Sequence, residues 1–144
     1  FEQVTQNKLY EFAQQNDGYV FYGHSKGSFN FTDQNRTWCK SMIYFNIVRW
    51  QEALEYLSDV DAVGCNWHDF TNQHAAHLGG PHTGQRWFAG TYWWSKLHRI
   101  KDIGHGPTMG SRWDAEVWIG QIPEIKIYDI NRADGPFPQW ISEW

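Results

Sequence analysis

The sequence predicts a mixed α/β domain, a β-sheet flanked by helices on both faces. Three observations carry that expectation. Short runs rich in aromatic and β-branched residues alternate with longer segments whose apolar residues recur at helical spacing. Glycine and proline are scattered at intervals instead of gathering in one linker, and no internal repeat is visible, so residues 1–144 are read as one domain. Aromatic residues make up 18% of the chain and charged residues only 19%, which is the composition of an ordered core and not of a disordered segment.

In chain order, residues 4–16 place Leu9, Phe12 and Ala13 on one helical face, and Asp17-Gly18 stops that helix. Tyr19–Tyr22 reads as a strand that runs into a polar loop, Gly23-His24-Ser25-Lys26-Gly27. Residues 36–58 read as helical in two pieces, one striped by Trp38, Met42 and Phe45 and the other by Trp50, Ala53, Leu54 and Leu57, ending at Ser58-Asp59. Asp61–Trp67 is the second strand, and the loop 68–85 behind it carries His68, His74, His77 and His82. Trp87–Trp94 is taken as a third strand, although its continuous aromatic character does not separate strand from helix. A short helix over 95–103, a Gly/Pro loop over 104–111 and another short helix over Trp113–Gly120 follow. Glu124–Ile130 alternates as the last strand. In such folds the functional loops follow strand ends, which directs attention to 23–27, 66–85 and 90–116.

Charge and hydropathy exclude several function classes. With 12 Lys plus Arg against 16 Asp plus Glu, the net charge of −4 gives no general attraction to nucleic acid or anionic lipid. No apolar run approaches the roughly 20 residues of a membrane span, and the N-terminal sequence lacks a signal peptide's order, so a soluble, cytoplasmic chain is expected. Cys39 and Cys65 make neither a disulfide framework nor a Cys-x-x-Cys knuckle and are expected as reduced, partly buried thiols.

Four constellations hold candidate chemistry. In residues 23–27 two glycines let backbone amides approach an anion, Lys26 adds a point charge, and His24 and Ser25 add hydrogen bonds, as a diphosphate would require; an ordinary polar turn has the same letters. His68, Asp69, His74, His77 and His82 have the chemistry of a metal site, of substrate hydrogen bonding, or of solvated loop histidines. Phe88-Ala89-Gly90-Thr91-Tyr92-Trp93-Trp94 puts consecutive rings on both faces of a strand, for sugar stacking or for core packing. Arg112-Trp113-Asp114-Ala115-Glu116 sets a guanidinium and two carboxylates at a helix start, where a carboxylate can act as a general base but position alone favours a helix cap.

Taken in order, the segments containing Gly23-His24-Ser25-Lys26-Gly27, Asp61-Ala62-Val63-Gly64-Cys65-Asn66-Trp67, Phe88–Trp94 and Arg112-Trp113-Asp114-Ala115-Glu116-Val117-Trp118-Ile119-Gly120 resemble the motif series of GT-A class nucleotide-sugar glycosyltransferases of bacterial and viral polysaccharide assembly. The resemblance spans about residues 8–130. Ser25 and Thr91 stand where that group usually has Thr and Asn. The group also has an N-terminal βα portion before the first helix, supplying much of the base and ribose pocket; none precedes the first helix here, so a truncated form of the Rossmann-like GT-A fold is expected.

The resemblance implies transfer of a sugar from a nucleoside-diphosphate sugar to a hydroxyl of a glycan acceptor. It implies Lys26 and His24, with Ser25 and Gly27, beside the leaving diphosphate. It puts Gly90, Thr91, Trp93 and Trp94 beside the donor sugar, and Asn66, Trp67 and Arg112 among the substrate contacts. It makes Glu116 and Asp114 the catalytic carboxylates of an inverting or retaining transfer, Glu116 taking the acceptor proton where transfer inverts. Such enzymes often hold Mn²⁺ or Mg²⁺ through an Asp-x-Asp at a strand end. Asp59-Val60-Asp61 has those letters but precedes its strand, leaving a metal-independent site or an ion held with help from the His24 loop. Two other classes stay open: a noncatalytic carbohydrate- or protein-binding domain of the same fold, and a metal-dependent hydrolase built on the 68–82 histidines. A sheet edge uncovered by such a truncation would also favour a homo-oligomer.

Overall fold

The computed structural model describes residues 2–24, 32–71, 84–111 and 113–133. The elements are α1 (Glu2–Gln15), β1 (Tyr19–Tyr22), α2 (Asp33–Ile43), a π-helical turn (Tyr44–Val48), α3 (Trp50–Tyr56), β2 (Ala62–Gly64), β3 (Trp67–Asp69), β4 (Arg86–Phe88), β5 (Trp93–Lys96), α4 (Leu97–Lys101), α5 (Trp113–Val117), a 3₁₀ turn (Trp118–Gln121), β6 (Ile127–Asp129) and α6 (Ile130–Ala133). They form a mixed α/β fold. The main sheet has the order β1-β5-β2-β6, and β3 and β4 make a second, two-stranded sheet. Strands β1, β2 and β6 run one way, while β5, inserted between β1 and β2, runs antiparallel to both.

Alternation along the strands sends side chains into two separate cores, one on each face of the main sheet. Ala62 and Trp93 join Tyr22, Ala13, Leu97, Ile100, Trp118 and Ile119 on the face covered by α1 and α4. Val63 and Trp94 face the other way, toward Met42, Phe45, Ala53, Leu57 and Ile130. Of the stripes expected over 36–58, Trp38, Met42, Phe45, Ala53, Leu54 and Leu57 pack toward the sheet, whereas Trp50, just after the π-helical turn that joins the two pieces, is 42% exposed.

Two expected strands are each divided. The 61–67 run is split into β2 and β3 at Asn66, whose φ of 59° turns the backbone out of the sheet. The 87–94 run is split into β4 and β5 at Gly90 (φ 91°) and Thr91 (φ 58°). The two breaks meet, because Ala89 N donates to Asn66 O at 2.9 Å. Both chain segments thus leave the main sheet at one level and pair again as β3–β4, Trp67 opposite Phe88. Apolar character continues through both corners, so the sequence pattern alone reads straight across them.

Helix α1 also departs from expectation. Phe12 is 55% exposed, and the buried face runs through Gln3, Gln6 and Ala13 with Leu9 and Tyr10 packed beside them. The glutamine Nε2 groups find partners across the fold, Gln3 Nε2 donating to Ser111 O (2.7 Å) and Gln6 Nε2 to Ala115 O (3.1 Å). The helix expected over 95–103 is confined to α4, and the one over 113–120 is α5 followed by the 3₁₀ turn. Both cysteines are free thiols, and Cys65 receives a hydrogen bond from Asn46 Nδ2 at 3.3 Å. Among the described residues no helix is long and apolar enough to cross a membrane.

The 3₁₀ turn packs against β4 so closely that a Cβ on Gly120 would lie 1.8 Å from Arg86 O, a backbone atom. Gly120→Ala is therefore expected to lower the unfolding free energy by about 3 kcal/mol, the upper range for overpacking a core. Urea denaturation measures it; an unchanged midpoint would contradict this packing.

Candidate functional site

The strand directions place four chain segments along one edge of the main sheet. Tyr22 pairs with Trp93, Trp93 with Gly64 and Gly64 with Asp129, so the ends of β1, β2 and β6 and the start of β5 lie side by side. Immediately beyond them come Gly23-His24, Cys65-Asn66-Trp67, Asn131 and Gly90-Thr91-Tyr92. In an α/β sheet the carboxyl ends of parallel strands are where ligands bind, because the chain there turns into loops. Three of the motifs separated by tens of residues in the sequence are thus neighbours across this edge.

Backbone strain concentrates here. Among the described residues the non-glycine positions with left-handed backbone are Asn66, Thr91 and Glu124, and the first two belong to this edge. Thr91 is β-branched, for which that conformation is unfavourable, and it is fully buried with a hydroxyl that finds no hydrogen-bond partner. Gly90 cannot be replaced easily: besides its φ, a Cβ would meet Met42 Sδ at 2.4 Å.

Asp129, at the end of β6, fixes the second corner. Its Oδ1 accepts from Asn66 N (3.0 Å) and its Oδ2 from Trp67 N (2.8 Å), while Asn131 Nδ2 donates to Asn66 Oδ1 (3.1 Å). Two consecutive amides are thus neutralised by one carboxylate supplied from more than sixty residues away, and the left-handed turn is held in place. Sequence reasoning missed Asp129 and Asn131. The available signal was an aspartate closing the 124–130 strand, at the strand end where α/β folds keep their functional groups.

His24 lies at the other end of the row. Its Nδ1 is 3.1 Å from Glu2 Oε1, and its ring centroid is 6.3 Å from that of Tyr92. Burial pushes the Tyr22 phenol well above its ordinary value, and the nearby Glu2 carboxylate adds to this. Burial likewise raises the Tyr92 phenol. The ring beside His24 is Tyr92; Trp93 is fully buried and stacks on Tyr22 at 5.2 Å, and Trp94 Nε1 donates to Asn46 O at 2.8 Å. Trp93, expected beside a ligand, is thus part of the core on one face of the sheet, and the half-buried Trp94 packs against the core on the other. Trp67 is only 8% exposed and packs on Phe88.

Helix α1 links His24 to the carboxylate-bearing helix α5, since Glu2 reaches His24 while Gln3 and Gln6 hold the carbonyls of Ser111 and Ala115. At the start of α5, Ser111 Oγ accepts from Trp113 N (3.0 Å) and Asp114 Oδ2 accepts from Ser111 N (2.9 Å), a reciprocal capping box. Thr108 Oγ1 also donates to Asp114 Oδ2. This hydrogen bond, with those from the Ser111 and Gly110 amides, holds the Asp114 carboxyl below its usual range, so Asp114 acts as a cap and is a weak base. Glu116 follows it on the same short helix.

Ser25, Lys26, Gly27, Arg112 and the histidines 74, 77 and 82 lie outside the described residues. His68 stacks on Trp87 at 5.1 Å, with Phe70 edge-on to both rings. Among the described residues no group of three His, Cys, Asp or Glu side chains could hold a metal ion. The Asp59-Val60-Asp61 letters do not fit one either: Asp61 binds the Arg99 guanidinium (3.0 Å) and Lys126 N (2.8 Å) at the opposite end of the sheet.

Two outcomes follow. Asp129→Ala leaves the Asn66 and Trp67 amides unpaired and is expected to cost about 3 kcal/mol in chemical denaturation, the value for a hydrogen-bonded charge; no change would mean the corner holds itself. For Asp114 the carboxyl is lowered in the folded state, so the stability it contributes is full above the ordinary aspartate value of 3.8 and is lost as pH falls through the lower folded value. The stability gap between wild type and Asp114→Ala should therefore be present at neutral pH and vanish in strong acid, where a gap independent of pH would contradict the capping box. No family model, curated protein or solved structure matches the chain, so the geometry of this edge stands as the basis for a functional reading.

Proposed function

We propose that the chain is a GT-A type glycosyltransferase unit that binds a nucleoside-diphosphate sugar at the edge formed by His24, Asn66, Thr91 and Asp129 and passes the sugar to a hydroxyl acceptor. The observation that carries this reading is convergence. The His24 loop, the Asn66 corner and the Gly90-Thr91 turn, each singled out by its sequence motif, adjoin one another at the carboxyl edge of the sheet.

The roles follow from the chemistry of each group. His24, oriented by Glu2, and Lys26, two residues further along the loop, meet the diphosphate as hydrogen-bond donor and point charge. Thr91 Oγ1 and Asn66 Nδ2 are buried polar atoms without a protein partner beneath this edge, so these two residues shape the wall of the donor site from below instead of touching the sugar. Their left-handed backbones fix that wall, so little ordering is left to the moment of binding. Glu116 takes the acceptor proton, because Asp114 is committed to the cap. Mn²⁺ or Mg²⁺ belongs to many enzymes of the class, but the described carboxylates do not assemble a site for it, and no step is routed through an ion.

Isothermal titration calorimetry with UDP, GDP, dTDP and their sugars tests the reading. One nucleotide should bind saturably, and Lys26→Ala should weaken it roughly tenfold or more, the loss of about 1.4 kcal/mol expected for a charge on phosphate. Thr91→Val removes a buried hydroxyl without a partner, so it should keep or slightly raise stability and leave nucleotide binding unchanged. A folded chain that binds none of the nucleotides but binds oligosaccharide would overturn donor binding and favour a carbohydrate-binding module.

A further inference from the structure

We propose that the chain forms a two-fold homodimer through the outward face of the α2–α3 run. One side of this run packs on the sheet through Met42, Phe45, Ala53 and Leu57. A helix so placed ordinarily turns a polar face to solvent. Here the outward side exposes Ile43 (38%), Ile47 (45%), Val48 (45%) and Trp50 (42%), four large apolar residues within eight positions. The π-helical turn contributes directly, because its extra residue per turn brings two consecutive apolar side chains, Ile47 and Val48, outward together. A contiguous patch of this kind marks an interaction surface.

The charges around the patch identify the occupant as a second copy. On the N-terminal side lie Arg36 and Lys40, with Asp33 at the outer end of α2; on the C-terminal side lie Glu55 and Asp59. Arg36, Glu55 and Asp59 are exposed, and among the described residues none of the Arg36, Lys40, Glu55 and Asp59 side chains makes an ion pair. Arg49 and Glu52, nearer the centre, already pair with each other. A surface that is basic at one end, apolar in the middle and acidic at the other complements itself when two copies meet antiparallel. With Ile47 of one copy against Val48 of the other, Lys40 faces Glu55 and Arg36 faces Asp59 on both sides of the axis. An anionic membrane would gain from Arg36 and Lys40 but be repelled by Glu55 and Asp59, which disfavours lipid as the occupant.

Sedimentation velocity of the full chain from low to high micromolar concentration tests the proposal. The wild type should show a concentration-dependent dimer. Ile47→Glu, checked for fold by circular dichroism, should weaken it roughly tenfold or more. Should that variant not fold, the surface charges decide. Lys40→Glu and Glu55→Lys should each weaken the dimer, and Lys40→Glu combined with Glu55→Lys should restore it. A wild type that stays monomeric throughout, a dimer indifferent to all these changes, or a monomer that instead co-sediments with anionic phospholipid vesicles would overturn it.

Discussion

The Asp129 carboxylate is the contact on which the geometry of the candidate edge rests. Asn66 and Trp67 present consecutive backbone N–H groups at a corner where β2 leaves the main sheet and β3 begins. Neither amide can join a ladder at that point. A carboxylate arriving from the parallel neighbour β6 satisfies both, which removes the cost of two unpaired donors and fixes a left-handed residue that would otherwise relax. The partner corner at Gly90-Thr91 then follows, because Ala89 N is bonded to Asn66 O and Gly90 is pressed against Met42. One ionic contact of long sequence separation thus sets where two chain segments leave the sheet.

The two ends of the sheet divide their work. At the end away from the candidate site, Asp61 collects the Arg99 guanidinium, Lys126 N and, through its carbonyl, Ser95 Oγ and Lys96 N. Arg99 in turn reaches Pro123 O and Asp102. That end has paired groups, with Glu124 the left-handed residue beside it. The site end holds the left-handed Asn66 and Thr91 and buried polar atoms without partners, among them Thr91 Oγ1, Asn66 Nδ2 and Asn131 Oδ1.

Much of this was legible in the residues, and the illegible part has physical causes. Short aromatic and β-branched runs located β1, β2, β5 and β6, and 3.6-residue stripes located the α2–α3 core contacts, since both signals arise from burial against the same sheet. Of the segments chosen as functional, the described residues Gly23, His24, Asn66, Gly90 and Thr91 adjoin at one edge. What periodicity could not show was where strands break, because Asn66 is held by the distant Asp129 carboxylate and Gly90, before Thr91, lies close against Met42. It also misjudged Phe12 and the glutamines of α1, where buried amides are satisfied by carbonyls about a hundred residues away. Trp93 and Trp94 stood out by composition, yet their positions in a central strand commit them to the two cores, and Tyr92, just outside the strand, is the ring left near His24.

The most direct test of the central claim is amide NMR of the ¹⁵N-labelled chain as UDP, GDP or dTDP is added. With one of these nucleotides, shifts should concentrate at Gly23, His24, Asn66, Trp67, Thr91 and Tyr92 and leave Asp61, Ser95 and Lys96 at the far end unmoved. Shifts centred on the Asp61 end, or none with any of the nucleotides, would contradict the assignment of the Asp129-clamped edge as the donor site.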